Sequence, residues 1–326
     1  ASVICTTGIV WKRPSLEVLI ESRAKRRDYV ELNWIYDLEE EMSIKAFLNK
    51  QRLPKSFIKD VKYSGEILLN HLRVDVRFSI RKGDHLRLVA PDEEGHETVP
   101  ASHQALDIVY EDPDLLVVNK PAGLVSIPSA KVPDSSMANR VKGYYQRQNY
   151  SDQVIHIVTR LDRDTTGLML IAKHRLAHAL MDRQMHQGQV YKYYQALSAS
   201  NRWAKHGIIE APIARDEHSI ITRCVCEQGK WSKTEYWCIQ AFDQGAHLRL
   251  RLHTGRTHQI RVHLAHKGGA LVGDDLYGGP DSHWIHRQAL HCGELRFRQP
   301  LTGQALVINQ PLPQDMRDWI NNQSLN

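Results

Sequence analysis

Met42, Ile44, Phe47 and Leu48 recur at near-helical spacing, and Leu53-Pro54-Lys55-Ser56 interrupts that run where a second helix can start. Beyond Gly65 the period shortens. Ile67-Leu68-Leu69 is strand-like and ends on the turn residue Asn70, and Gly83-Asp84 separates the stretch 76–80 from an alternating strand at 86–88. The pattern predicts a small module over residues 38–92, two helices followed by a strand pair. Residues 1–37 read as an N-terminal extension of mixed character. Residues 93–106 are polar, hold Pro, Gly, Glu and His without periodicity, and read as a linker.

From residue 107 to 326 short apolar runs alternate with turns. The run 115–118 is a strand candidate closed by Lys120-Pro121, where proline stops any helix and biases Lys120 to extended backbone. Residues 127–153 read as a loop with one helix around Val141 and Tyr145. Two further apolar runs, 155–158 and 168–172, flank the charged knot Arg160-Leu161-Asp162-Arg163-Asp164-Thr165-Thr166-Gly167. Leu176, Leu180 and Met181 share one face of a helix over 175–187 that Gly188 stops. A strand over 190–197 carries Lys192 and Tyr194, and 198–245 reads as more strands, with turns near Gly207, Gly229 and Gly245. Thr257 is the expected N-cap of a helix over 257–267, although the alternation of Ile260, Val262 and Leu264 also fits a strand. Mixed strands with irregularly placed helices point to an α+β fold instead of a steady βαβ alternation.

Composition narrows the partners. The chain of 326 residues is long enough for about two domains. Forty-three basic against 37 acidic residues give a net charge of +6, which suits a polyanion without demanding one. The run Arg23-Ala24-Lys25-Arg26-Arg27 adds a basic patch able to touch phosphates, or simply a solvated helix face. Five cysteines, odd in number and without paired CxxC spacing, read as reduced thiols. No apolar run approaches membrane-spanning length, and no positive-then-apolar leader is read. A cytoplasmic location, no membrane partner and a monomeric state are the expectations.

Several chemistries are absent from the motifs. The chain holds no GxxxxGK[ST] loop, no strand-borne GxGxxG and no GxSxG elbow, so neither a nucleotide cofactor nor a serine nucleophile is indicated. His258, His263 and His266 lack HExxH spacing and have no cysteine pair beside them, so no metal is assigned to them. What remains is a carboxylate. Asp162 lies beside core-type residues, where an ionised carboxylate is costly unless a cation partners it. The neighbouring arginines could serve, and so could the basic motif near Arg261.

Here the residues resemble a known family. Arg160-Leu161-Asp162-Arg163-Asp164-Thr165-Thr166-Gly167-Leu168 is similar to the central signature of the RluA-like pseudouridine synthases. Three further blocks agree in order: Leu115 to Leu124 around Asn119-Lys120-Pro121; Lys192-Tyr193-Tyr194-Gln195-Ala196; and Leu252 to Leu264, followed by Gly273-Asp274-Asp275-Leu276-Tyr277-Gly278. The resemblance spans residues 107 to 319. One position departs from it: Thr159 stands where the family usually has His.

The resemblance implies a pseudouridine synthase fold with a mixed, mainly antiparallel sheet. It also implies that the module at 38–92 is an alpha-L RNA-binding domain, of the kind shared with a ribosomal small-subunit protein. The implied activity is cofactor-free isomerisation of uridine in structured RNA, with 23S ribosomal RNA expected and transfer RNA the alternative. Asp162 would be nucleophile or base, Arg261 would pair with it and keep it charged, and Tyr194 would pack on the uracil and take the ring proton. Arg160 would help hold the flipped nucleotide, and Lys120, Lys192, Arg256 and His258 are further RNA-contact candidates. A non-catalytic RNA-binding or assembly protein on the same fold is the second reading, and intact Asp162, Tyr194 and Arg261 argue against it. A hydrolase built on a metal held by the histidines is the third.

Overall fold

The computed structural model describes residues 30–93, 99–219 and 221–323, so the basic run at 23–27 lies outside the described residues. The chain forms a smaller unit ending at Pro91 and a larger one beginning at Asp92. In the smaller unit the order is β1 (Glu31–Ile35), β2 (Met42–Ser43), α1 (Ile44–Lys50), α2 (Lys55–Ser64), β3 (Glu66–Leu69), β4 (Leu72–Arg73), β5 (Ser79–Ile80) and β6 (His85–Val89). Ser43 caps α1 by accepting the Ala46 N–H, and α2 starts directly after Pro54, the break expected between two helices. Ile44, Phe47, Leu48, Phe57 and Val61 of the helices are buried, as are Ile67, Leu86 and Leu88 of the strands.

Strand β1 falls inside the stretch read as an extension. It pairs antiparallel with β6, Leu32 against Leu88 and Trp34 against Leu86. Its residues are at best half-buried, so its apolar alternation is weak. A second difference concerns 93–106. Its described part is not a free linker: Asn139 donates to the Pro100 carbonyl and accepts the Ser102 N–H on its own carbonyl. Gly143 permits that approach, since a Cβ there would lie 2.0 Å from the Ser102 oxygen.

The larger unit continues with β7 (Ile108–Glu111), β8 (Leu115–Lys120), α3 (Met137–Arg147), β9 (His156–Ile157), β10 (Thr166–Ala172), α4 (Arg175–His186) and β11 (Tyr191–Ser198). Then come β12 (His206–Glu210), β13 (Ile213–Arg215), β14 (Arg223–Val225), β15 (Lys233–Phe242), β16 (Gly245–Leu252), α5 (Gln259–His266), β17 (Leu290–Arg298), β18 (Ala305–Asn309) and α6 (Gln314–Gln323). Ten strands make one sheet in the order β12-β15-β16-β11-β17-β10-β8-β7, with β18 beside β17 and β9 beside β10. Every pairing in that sheet is antiparallel except β10 with β17, so the sheet is mixed and mainly antiparallel.

Strands β8 and β10 are buried on both faces, which is why both read as unbroken apolar runs. The single parallel contact, Thr166-Gly167 against His291-Cys292, lies where the charged knot becomes strand. Gly167 has φ +108°, and a Cβ on it would sit 2.3 Å from the Cys292 carbonyl oxygen. Only glycine lets the two backbones meet there.

Candidate active site

Asp162 sits in the loop between β9 and β10, and that loop is held by its carbonyls. The Leu161 oxygen accepts from Ser126 Oγ at 2.6 Å, and the Asp162 oxygen accepts the Thr165 N–H at 3.1 Å. The Arg163 oxygen accepts from Lys120 Nζ at 2.6 Å, and the Asp164 oxygen from Arg287 Nη1 at 3.1 Å. Ser126 also receives the Leu161 N–H at 3.0 Å, and the Asp164 carboxylate receives the Gly123 N–H at 3.1 Å. Successive carbonyls are thus tied to a turn of the loop itself and to three distant segments. The Asp162 side chain projects from this fixed backbone and stays 28% exposed.

Lys120 departs from its expected role. It is fully buried, and its ammonium donates to the carbonyls of Pro121, Leu124 and Arg163 at 2.6–2.8 Å. A group so enclosed does not reach a phosphate; it clamps one loop to another. Burial pushes its pKa down to about 7, against Asp164 and Asp162, which pull it up. Replacing Lys120 with Met keeps the stem and strands three acceptors, which is expected to cost about 3 kcal/mol of stability. Urea unfolding of the variant beside wild type checks this, and an unchanged midpoint would return Lys120 to the pool of surface contacts.

Thr159, the departure from the family pattern, is also structural. Its Oγ1 accepts the Leu170 N–H at 2.9 Å and completes the ladder where β9 ends against β10.

Arg261 rises from α5, which begins two residues later than expected. Thr257 is not its cap: His258 holds that position with φ +57° and no side-chain capping bond. Gln259 closes the preceding turn instead, accepting from Thr254 Oγ1 and the Arg256 N–H, and donating to the Lys233 carbonyl and Thr234 Oγ1. The guanidinium of Arg261 meets Asp162 at 3.9 Å, but its short contacts are elsewhere. Nε and Nη2 donate to the two oxygens of Asp274 at 2.7 and 2.6 Å, a bidentate pair buried on both sides. The expected Arg261–Asp162 pair is therefore the looser half of a three-residue arrangement. Asp274, in the glycine-rich block 273–278, is a partner that the local sequence does not single out.

The Arg261 guanidinium lies 5.0 Å from the centre of the Tyr277 ring. The Tyr277 hydroxyl accepts the Arg223 N–H at 2.9 Å and bonds His258 Nδ1 at 2.8 Å. Burial lowers the His258 pKa, and Asp162 opposes that shift. His263 is committed as well, to Thr234 Oγ1 and the Ala211 carbonyl. Among the described residues no three His, Cys, Asp or Glu side chains converge as a metal site would require.

Tyr194 comes from β11, paired with Leu250 of β16 and Cys292 of β17. Burial, with Cys292 and Asp162 adding to it, drives its pKa well above the ordinary tyrosine value. Lys192, two positions earlier, is half-buried, and burial lowers its pKa.

A cleft of about 930 Å³ unites these groups: Arg160, Asp162, Lys192, Tyr194, His258 and Arg261 all line it. Arg163 and Arg256 line it too, and Arg160, Arg163 and Arg256 are its exposed arginines. Of the catalytic and RNA-contact candidates named from the sequence, only Lys120 is not among those lining it. A volume of that size accepts a nucleotide lifted from its stack.

Comparison with known proteins gives the kinship. Residues 114–266 match the family described as RNA pseudouridylate synthase. The chain is 39% identical over 284 residues to the protein named Uncharacterized RNA pseudouridine synthase YjbO of Bacillus subtilis, covering 87% of this chain and all of that one. It is 40% identical over 229 residues to ribosomal large subunit pseudouridine synthase D of Yersinia pestis, covering 66% of this chain and 70% of that one. Among solved structures, human RNA pseudouridylate synthase domain containing 4 superposes with a TM-score of 0.56 at 20% identity, over 67% of this chain and 93% of that one. For human RNA pseudouridylate synthase domain containing 1 the TM-score is 0.54 at 24% identity, over 70% and 98%. The two structures share the fold, and the relatives settle the kinship: the chain belongs to the RNA pseudouridylate synthase family.

Proposed function

We propose that this protein isomerises uridine to pseudouridine in large-subunit ribosomal RNA, using Asp162, Tyr194 and Arg261. The observation that supports these roles is the single cleft in which side chains from three separate motifs meet. The reaction breaks the bond from uracil N1 to the sugar C1′, forms one from C5 to C1′, removes the C5 proton and leaves a proton on N1. Asp162 is the partly exposed carboxylate for attack or proton removal at the sugar or ring. Arg261, anchored by Asp274, presents a cation beside it without locking its oxygens. Tyr194 forms the wall against which the base rests. Arg160, Arg256, Lys192 and His258 are the contacts to the flipped nucleotide and its phosphates.

The target rests on kinship with the large-subunit synthases. Purified protein should form pseudouridine in a transcript of large-subunit ribosomal RNA with no added cofactor, and mapping the modified positions checks it. Modification of transfer RNA alone would overturn the target, and no modification of either RNA would overturn the activity.

The smaller unit is proposed to be an alpha-L-type RNA-binding domain, supported by its two helices followed by antiparallel strands. Deleting residues 1–91 is expected to weaken binding of long structured RNA about tenfold and flatten its salt dependence, while activity at saturating RNA survives. The cut falls before residue 92 because 99–106 pack on α3. A folded but inactive product at saturation would refute this division of labour.

A further inference from the structure

Side chains of β11, β15, β16 and β17 alternate between the core and an outward face. Tyr194, Leu248 and Leu250 turn inward; Tyr193, paired with Arg251 and Glu294, and Trp237, paired with Arg249, turn outward. On that face the charges are layered. Glu294 is only 16% exposed and holds both Arg249, at 3.0 Å, and Arg296, whose side chains are 37% and 46% exposed. Both also lie over the Tyr193 ring, at 4.2 and 5.2 Å. Glu235 repeats the arrangement, 16% exposed beneath His206 at 48% and His253 at 27%, with Arg251 3.9 Å away.

Formal pairing therefore hides the surface that is presented. The carboxylates are sunk and the guanidiniums ride above them, already ordered by an acid on one side and a ring on the other. An arginine so placed loses little further freedom on meeting a phosphate, and its unused N–H groups are free to donate. The same face runs into the cleft, because Tyr191, Arg251 and His253 line the cleft and the Arg251 guanidinium lies 4.6 Å from the centre of the Tyr191 ring.

We propose that the outward face of these strands is a second RNA-binding surface, which takes sugar–phosphate backbone lying beyond the target stem–loop through Arg249 and Arg296. The proposal rests on an RNA substrate for the adjoining cleft. It is tested by binding, so that it stands or falls separately from turnover.

The full-length protein carrying Arg249→Gln and Arg296→Gln is compared with wild type on two RNAs. One is a transcript of large-subunit ribosomal RNA; the other is the stem–loop containing the modified uridine, or any hairpin of similar length if none is modified. The double variant is expected to bind the transcript about tenfold more weakly. Its plot of log affinity against log salt should lose a slope of about 1.5, near the value for two phosphate contacts. Affinity and single-turnover rate on the hairpin should stay unchanged. A variant with Arg249→Lys and Arg296→Lys keeps the charge but loses the planar fork, so it should retain the salt slope and recover only part of the affinity. Glu294→Gln should increase the salt slope.

Equal transcript affinity and equal slope for wild type and the Gln variant would overturn the proposal. So would a wild-type dimer that the Gln variant dissociates with no change in RNA binding, since the face would then belong to a second copy. Should wild type bind the transcript but leave it unmodified, the proposed reaction fails and the binding comparison still decides the surface.

Discussion

Asp162→Asn is expected to reduce pseudouridine formation by on the order of 10⁴-fold or more, the scale seen when a catalytic nucleophile is removed. RNA affinity should stay within a few-fold of wild type, because phosphate contacts supply most of it. The backbone of the 161–164 loop is held through its carbonyls, so Asn inherits the geometry and loses only the charge and the nucleophilic oxygen. Single-turnover assays on a modified transcript, with mass spectrometry to exclude deamidation of the Asn, read the result. Substantial turnover by that protein would remove Asp162 from the chemistry.

Tyr194→Phe carries the second large effect and separates two roles of one ring. A base at the uracil C5 must be phenolate, and burial makes phenolate scarce at neutral pH by raising the Tyr194 pKa. The sign follows. Below that raised pKa each unit of pH increases the phenolate fraction tenfold, so a rate limited by C5 deprotonation should climb from neutral to alkaline pH without a plateau. Tyr194→Phe should lose that climb and run about a hundredfold slower on uridine RNA, the usual contribution of a positioned base. RNA with 5-fluorouridine at the target has no C5 proton, and its rearrangement should be the same in both proteins. A flat pH profile in wild type, with near-normal turnover by the Phe variant, would leave the ring as a packing surface alone.

Much of this site is legible in the chain because its parts are short and local. The knot at 160–167 stands between two runs that bury as strands, and the Gly167 beside it is dictated by a backbone approach that any side chain would block. The strand bearing Tyr194 follows from its apolar run, whereas the periodicity around Arg261 fits helix and strand alike. What escapes are contacts between distant residues. Nothing near Arg261 identifies Asp274 as its tight partner, and nothing near Lys120 tells a buried clamp from a surface cation. Strand β1 escapes for a related reason: its residues are half-buried, and its place comes from pairing with β6 at the far end of the unit. The left-handed His258 displaced the expected Thr257 cap because the turn before α5 is organised by the side chain of Gln259.

Arg287, which holds the Asp164 carbonyl, is itself gripped through Nε and Nη2 by the carboxylate of Asp315 at the start of α6. During synthesis Asp162 therefore leaves the ribosome long before Asp315, which completes the support of its loop. A nascent chain ending between the two holds every side chain assigned to the chemistry but lacks one tether of the loop that aims it.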